Sequence, residues 1–310
     1  MGSLEIIIVG RIPPPYGGAT VSVLNLIKAL NAKNIINSRL SIKSITRRYT
    51  ISHVHYFKPI NRFLGVIISL LLAKKVIFTV HWYDFNTTNI LNKLSLYLSD
   101  GVILLNRQIQ NECNIVFKKS KIFSTVLSPL FIEGYDKIES IRKYFDRQDG
   151  KKYLLLYANK KVIHKGKDLY GVNFIIDNIE RLSEKFIIVF VDLNSNYLGE
   201  VDNINMRERI IYINHFVDFR SILKQVDVYI RPSSGDGCSV AIIEALSNGV
   251  PVLASDSVPR DKNVLTYKYG DFGDFSEKLN CIQYNPDPKE PPSVNQYLQY
   301  INTIIHSSHP

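Results

Sequence analysis

The chain has 310 residues, enough for two packed domains rather than one. Its 45% hydrophobic content fits a soluble globular protein, and its three cysteines (Cys113, Cys238, Cys281) lie far apart without metal-type spacing. That excludes a disulfide framework and points to a reducing compartment.

The net charge of +10 is unevenly placed: residues 1–150 carry 20 Lys/Arg against 9 Asp/Glu, and residues 151–310 carry 18 against 19. Such a first half suits an anionic partner. Nucleic acid would answer the charge, but no recognition motif accompanies it, and no nucleic-acid partner is expected. An anionic membrane surface or a pyrophosphate-bearing acceptor fits equally well.

In chain order, the apolar run Ile6–Val9 follows Glu5 and reads as a first strand over Leu4–Val9 rather than as a signal peptide. The turn after it, Gly10-Arg11-Ile12-Pro13-Pro14-Pro15-Tyr16-Gly17-Gly18, leads into a helical pattern over Ala19–Leu30. Its prolines stiffen the loop, and the paired Gly17 and Gly18 let backbone approach a ligand; a tight turn with no ligand explains them as well. Further strands are expected over Ser38–Ile45, Val54–Phe57, Val76–His81, Gly101–Leu105 and Ile122–Leu127, with a helix over Asn89–Leu98. The alternation predicts a parallel sheet with helices on both faces.

The longest apolar run, Phe63–Ala73, is too short to span a bilayer. Arg62 before it and Lys74-Lys75 after it invite a membrane-surface reading, but its place just before the Val76 strand predicts a buried helix of a βαβ unit. His81 ends that strand, where open α/β sheets hold ligands. A lone histidine there is equally compatible with packing. His53 and His55 end another candidate strand and read as structural or acceptor-side.

Between Tyr135 and Lys152 the sequence turns polar and charged, as a linker would. The pattern then restarts with a strand over Tyr153–Ala158, a lysine-rich turn holding Lys160, Lys161, Lys165 and Lys167, and a helix to about Leu182. Strands follow at Phe186–Val191, Ile210–Ile213, Val226–Ile230 and Val252–Ala254, and a last helix at Val294–Ile305. Asp271-Phe272-Gly273 spells a kinase tripeptide without that class's other motifs and is dismissed.

The stretch Arg231–Ser255 carries the chemistry. A Pro/Ser/Gly loop leaves a buried strand and empties into a helix over Val240–Leu246, closed by Asn248-Gly249 and stopped by Pro251. The free backbone N–H groups at such a helix start, with its positive dipole end, favour an anion. Glu244 falls four residues after Val240, on the same helix face, where a carboxylate suits sugar hydroxyls. An ordinary strand–loop–helix unit with a surface glutamate is the competing reading.

Pro232-Ser233, Gly235-Asp236-Gly237, Glu244-Ala245 and Gly249-Val250-Pro251-Val252 resemble the signature of family 4 retaining glycosyltransferases, an acidic residue and a glutamate separated by seven residues. Asp236 stands where that family usually has glutamate. The Pro-Tyr-Gly-Gly loop, Thr79-Val80-His81 with Asp84, and Lys165-Gly166 with Lys160 five residues earlier resemble three further elements of the same family. Lys160 takes a position usually held by arginine.

The resemblance implies a GT-B fold of two facing Rossmann-like domains with parallel sheets. An acceptor-side domain would span 1–148, with a terminal helix 294–308 packing back on it, and a nucleotide-sugar-binding domain would span 149–293. The reaction it implies is retaining transfer of a sugar, from a UDP-sugar by preference, to a hydroxyl of a glycan or lipid-linked acceptor in surface polysaccharide assembly. The residues implied are His81, Asp236, Lys165 and Lys160 for catalysis, and Gly17, Gly18, Gly237, Cys238, Ser239, Val240 and Glu244 for substrate binding. No Asp-x-Asp pair occurs, so no metal or other cofactor is expected. The expected location is cytoplasmic, at the inner face of the cell membrane. A non-catalytic nucleotide or glycan binder of the same fold is the alternative.

Overall fold

The computed structural model describes residues 4–13, 18–34, 49–81, 85–119, 122–129, 145, 147–203, 207–236, 238–283, 288, 290 and 293–307. The chain divides into two compact units, 1–132 with 292–310, and 133–291.

The first unit comprises β1 (Ile6–Gly10), α1 (Gly18–Leu30), β2 (Lys33–Asn34), β3 (Tyr49–His55), α2 (Pro59–Leu72), β4 (Ala73–Val80), α3 (Ile90–Tyr97), β5 (Gly101–Leu104), α4 (Arg107–Lys119) and β6 (Phe123–Val126). The strands pair in parallel in the order β2-β1-β3-β4-β5-β6. Alternate side chains of each strand feed opposite faces. Ile6 and Ile8 pack with Val23 and Leu26 of α1 and with Tyr297 and Ile301 of the terminal helix, whereas Ile7 and Val9 share a cluster with Val66, Leu96 and Phe117 of α2–α4. Parallel strands covered on both sides read as continuous Val/Ile/Leu runs, as β1 does.

Two expectations change here. β3 begins at Tyr49, well before Val54, because its polar residues are satisfied inside: the Ser52 hydroxyl donates to Ser69 Oγ at 2.7 Å, and His53 bonds on both ring nitrogens. The helix expected to be buried at Phe63–Ala73 is buried on one face only. Arg62, Gly65, Val66, Ser69 and Leu72 of α2 face the sheet, while Ile60, Leu64, Ile67 and Leu71 face outward. The strand expected over Ser38–Ile45 and most of the linker lie outside the described residues.

The second unit comprises β7 (Lys152–Ala158), β8 (Ile163–His164), β9 (Lys167–Asp168), α5 (Val172–Ile176), β10 (Phe186–Asp192), α6 (Leu198–Asp202), β11 (Ile210–Ile213), α7 (Phe219–Leu223), β12 (Val228–Arg231), α8 (Val240–Ser247), β13 (Val252–Ser255), β14 (Leu265–Tyr267) and α9 (Phe272–Cys281). Its parallel sheet runs β11-β10-β7-β12-β13-β14. α10 (Val294–His306) then belongs to the first unit, where Tyr300 Oη donates to the Phe123 carbonyl at 2.7 Å.

The lysine-rich turn holds an antiparallel β8–β9 hairpin, and the helix expected after it as far as Leu182 is broken into α5 and a single 3-10 turn at Ile179–Arg181. The hairpin's two central residues, Lys165 (φ 50°) and Gly166 (φ 74°), have the positive φ that two-residue hairpin turns of the I′ kind require. Asp271, dismissed as part of a kinase-like tripeptide, instead caps α9 by accepting from the Asp274 N–H at 3.1 Å.

Gly171 packs this segment against the loop after β12. It sits at φ 70°, and a Cβ there would come 1.9 Å from the Pro232 carbonyl oxygen. Gly171→Ala is therefore expected to cost more than about 2 kcal/mol, through strain plus overpacking. Chemical denaturation reads the loss directly, and a change below about 0.5 kcal/mol would contradict the packing.

Candidate functional site

The loop between β12 and α8 is organised by a buried ion triad. Arg231, the last residue of β12, donates from Nε to Asp236 Oδ2 at 3.1 Å. Arg260, in the loop after β13, donates from Nη1 to the same oxygen at 3.2 Å and from Nη2 to Ser233 Oγ at 2.9 Å. The Arg231 guanidinium also lies 4.9 Å from the Tyr170 ring centroid. Burial alone would raise the Asp236 pKa, but Arg231 and then Arg260 overcome it and hold the carboxyl below its usual range. Burial likewise works against charge on Arg231, and the Asp236 carboxylate more than offsets it.

Both guanidinium contacts fall on Oδ2, so neither uses the other carboxylate oxygen. Two cations face one anion, and the loop carries a local excess of one positive charge. The Ser255 and Ser257 hydroxyls both donate to the Ser233 carbonyl, at 2.5 and 2.7 Å, tying the loop to the end of β13.

From this loop the chain enters α8. Ser239 is its N-cap, with Oγ accepting from the Ile242 N–H at 3.4 Å, and Val240 is its buried first residue. Cys238 precedes the cap and is half-buried; Gly237 lies outside the described residues. Glu244, one turn on, is half-buried, and its pKa is pushed up to about 7 by desolvation, with Arg220 opposing and Asp218 reinforcing.

The lysines, unlike this cluster, are exposed. Lys160 follows β7 and is exposed; its neighbour Lys161 pairs with Glu200. Lys165 is exposed at the tip of the β8–β9 hairpin. Asp168 accepts from the Tyr197 hydroxyl at 2.9 Å and from the backbone N–H groups of Tyr170 and Asn173, so it holds the turn together.

In the first unit, His81 is not a lone histidine. It is buried just beyond β4, with Nε2 2.9 Å from His55 Nδ1. His53 pairs with the Tyr297 hydroxyl at 2.8 Å and the Thr79 hydroxyl at 2.7 Å, which anchors the terminal helix. His53 and His55 line a small cavity with Ser22, Thr79 and Tyr297, and the buried His55 Nε2 has no hydrogen-bond partner among the described residues. Gly18 opens α1 and is exposed, while Gly17 and residues 82–84 lie outside the described residues. Among the described residues, no group of three or more His, Cys, Asp or Glu is placed to hold a metal ion.

The structure thus gathers Asp236, Cys238, Ser239, Val240 and Glu244 along one loop and helix. Arg231 and Arg260 were missed by sequence reasoning. Arg231 stands directly beside the recognised Pro232-Ser233, whereas Arg260 carries no local signal and reaches the site only through the fold.

Residues 161–283 match the family model described as "Glycosyl transferases group 1". The match and the fold support a glycosyltransferase.

A curated galactosyltransferase of Escherichia coli, named as transferring from UDP-Gal to GlcNAc-diphosphoundecaprenol, is 33% identical over 91 residues, covering 28% of this chain and 23% of that protein. A 41.2 kDa protein of the Klebsiella pneumoniae cps region is 24% identical over 244 residues, 67% of this chain and 61% of that one. The chain therefore matches between about a quarter and three fifths of the length of these relatives. Among solved structures, Anabaena HepE in complex with UDP-glucose superposes with a TM-score of 0.64 at 13% identity, covering 98% of this chain and 93% of that one. The likeness establishes the GT-B fold.

Burial holds the His53 and His81 pKa values down to about 3, with a neighbouring charge, His81 and Arg62 respectively, adding to it; the His55 pKa is lowered well below 6.5 for the same first reason. The unfolded chain therefore binds more protons between pH 3 and 6.5, and stability present above 6.5 is lost as pH falls. Each imidazole contributes up to about 1.4 kcal/mol per pH unit in that window. Urea unfolding at stepped pH is expected to show this slope and to show a shallower one in His53→Gln, where two of the three imidazoles still titrate; a flat wild-type profile between pH 7 and 5 would contradict it.

Proposed function

We propose that this protein is a retaining glycosyltransferase that moves a sugar from a nucleotide-sugar, with UDP-sugars favoured, to a hydroxyl of a glycan or lipid-linked saccharide in surface polysaccharide assembly. The observation that carries the reading is the β12–loop–α8 unit. An N-capped helix start and a carboxylate one turn inside it stand beside a loop with excess positive charge.

In this reading the diphosphate meets the helix start at Cys238, Ser239 and Val240, at the positive end of the α8 dipole. Ionised Glu244 accepts from the two ribose hydroxyls. Lys165, with Lys160, neutralises the charge that develops on the departing nucleoside diphosphate, so no metal ion is required. Asp236 faces the transferred sugar through the carboxylate oxygen that the arginines leave unused. His81 lies on the acceptor side. The donor's own phosphate takes the acceptor proton, and no protein nucleophile is invoked. The UDP-Gal specificity in the name of the Escherichia coli relative and the UDP-glucose bound to HepE support the donor class. The lipid-linked acceptor in that relative's name supports action at the inner face of the cell membrane.

A non-catalytic binder of the same fold is the second reading, favoured by one observation: Asp236 is engaged by two guanidiniums on one oxygen. Thermal shift and hydrolysis across UDP-, GDP- and ADP-sugars separate the two. The enzyme is expected to gain melting temperature by mass action and to release nucleotide without acceptor. Binding without any turnover, with or without acceptor, would establish the binder.

Glu244→Gln is expected to act in opposite directions on binding and stability. Its folded pKa stands above the unfolded value of 4.5, so the folded state favours the proton, and stability falls as pH rises from 4.5 to about 7. The variant should therefore be more stable than wild type at pH 8, by about 1–3 kcal/mol. It should also bind nucleotide about 1.5–3 kcal/mol more weakly. Unchanged nucleotide affinity in the folded variant would remove the ribose assignment.

Lys165→Ala is expected to lower kcat about tenfold or more and Lys160→Ala less, because leaving-group charge grows in the transition state. Equal, small effects would make the hairpin a solvated surface only.

A further inference from the structure

The outward side of the first unit's helical layer carries more apolar surface than a solvated face needs. On α2, Ile60, Leu64, Ile67 and Leu71 follow spacings of four, three and four residues, which places them in one stripe within a narrow arc of the helix. All four are exposed, Leu71 at 70%. On α3, Ile90, Leu94 and Tyr97 repeat the pattern, with Ile90 and Tyr97 both 64% exposed.

The two stripes are held side by side. Arg62 of α2 donates from Nη1 to Asn92 Oδ1 of α3 at 2.6 Å and from Nη2 to the Tyr56 and Phe57 carbonyls at 3.1 and 3.0 Å. Its guanidinium lies 5.7 and 5.2 Å from the centroids of the Phe78 and Phe85 rings beneath. Burial lowers the Arg62 pKa only to about 10, so the clamp stays charged at neutral pH.

The surroundings of the stripes are one-signed. Residues 57–98 hold five Lys/Arg and one carboxylate, Asp84. Three of the five, Lys58, Lys74 and Lys93, are exposed. Lys58 immediately precedes α2, Lys74 follows it, and Lys93 lies on α3 beside Leu94.

We propose that the paired outer faces of α2 and α3 form a docking surface for an anionic lipid bilayer, with the apolar stripes entering the headgroup boundary and the three lysines meeting lipid phosphates. An apolar face rimmed by lysines and nearly free of carboxylates matches that boundary in both polarity and charge. The helices lie on the bilayer rather than cross it, since among the described residues no helix is long and apolar enough to span one. This deepens the reading of a lipid-linked acceptor and rests on it for the choice of bilayer over protein. It goes beyond that reading by naming the surface, which is distinct from every residue placed at the donor site.

The test is flotation of the full chain with vesicles of phosphatidylcholine alone or with phosphatidylglycerol, alongside sedimentation of the protein without lipid. Binding is expected only with phosphatidylglycerol, weakening as salt shortens the Debye length from about 10 Å to about 3 Å. The variant Leu64→Glu with Leu71→Glu should keep the wild-type melting temperature, because both side chains are already exposed, and should lose about tenfold or more in vesicle partition. Replacing Lys58, Lys74 and Lys93 by Ser should weaken binding in the same direction. Vesicle binding unchanged in the leucine variant would overturn the proposal. So would absence of binding, or a concentration-dependent dimer that the leucine variant dissolves. Donor hydrolysis is measured on the same preparations: its persistence alongside failed docking removes the surface alone, whereas its absence bears on the enzymatic reading.

Discussion

The contact on which the second unit's site depends is the Asp236 carboxylate between Arg231 and Arg260. Arg231 closes β12, Asp236 lies in the loop, and Arg260 follows β13, so one oxygen joins three segments that the chain brings together only on folding. Each charge here would be costly alone: removing one partner of a buried pair typically costs about 3–5 kcal/mol, because the remaining charge is left uncompensated. With both arginines present the loop has one arrangement, and α8 starts where that arrangement delivers it. Aspartate in place of the glutamate common in the resembling family shortens the side chain by a methylene. Here the shorter acid sits within hydrogen-bonding reach of both guanidiniums.

The first unit solves a related problem without formal charge. Its parallel strands end in imidazoles and hydroxyls, and His53 pairs with Tyr297 and Thr79 while His55 pairs with His81, all without formal charge. The same network fixes α10 to the sheet, so the last helix of the chain and the end of β3 are mutually supporting. Neutral imidazoles suit such a place, since ionising any one of them would strand a charge in the core.

Much of this was legible in the residues. Continuous apolar runs marked β1, β4, β7, β10 and β12, because a strand covered on both faces has no polar side to interrupt it. The Pro232–Val252 stretch announced a loop and a helix start through its own turn and cap residues. What stayed hidden depended on partners distant in sequence. β3 was read too short because His53 and Ser52 look like surface residues until Tyr297, Thr79 and Ser69 are placed beside them. The lysine-rich stretch was read as a turn, and the positive φ at Lys165 and Gly166 shows that the turn closes a hairpin. α2 was expected as a buried helix of a βαβ unit, and its outer stripe stayed hidden because an apolar composition does not say how many neighbours a helix will find. Arg260 had no motif at all.

The central claim is that the N-terminus of α8 and Glu244 receive a nucleoside diphosphate sugar. Calorimetric titration of UDP into the protein at pH 7, in two buffers of different ionisation enthalpy, tests it most directly. A carboxyl with a pKa of about 7 is half protonated at that pH and must ionise to accept two ribose hydroxyls. Binding is therefore expected to release about half a proton in wild type and none in Glu244→Gln. UDP binding with the same proton count in both proteins would contradict the account.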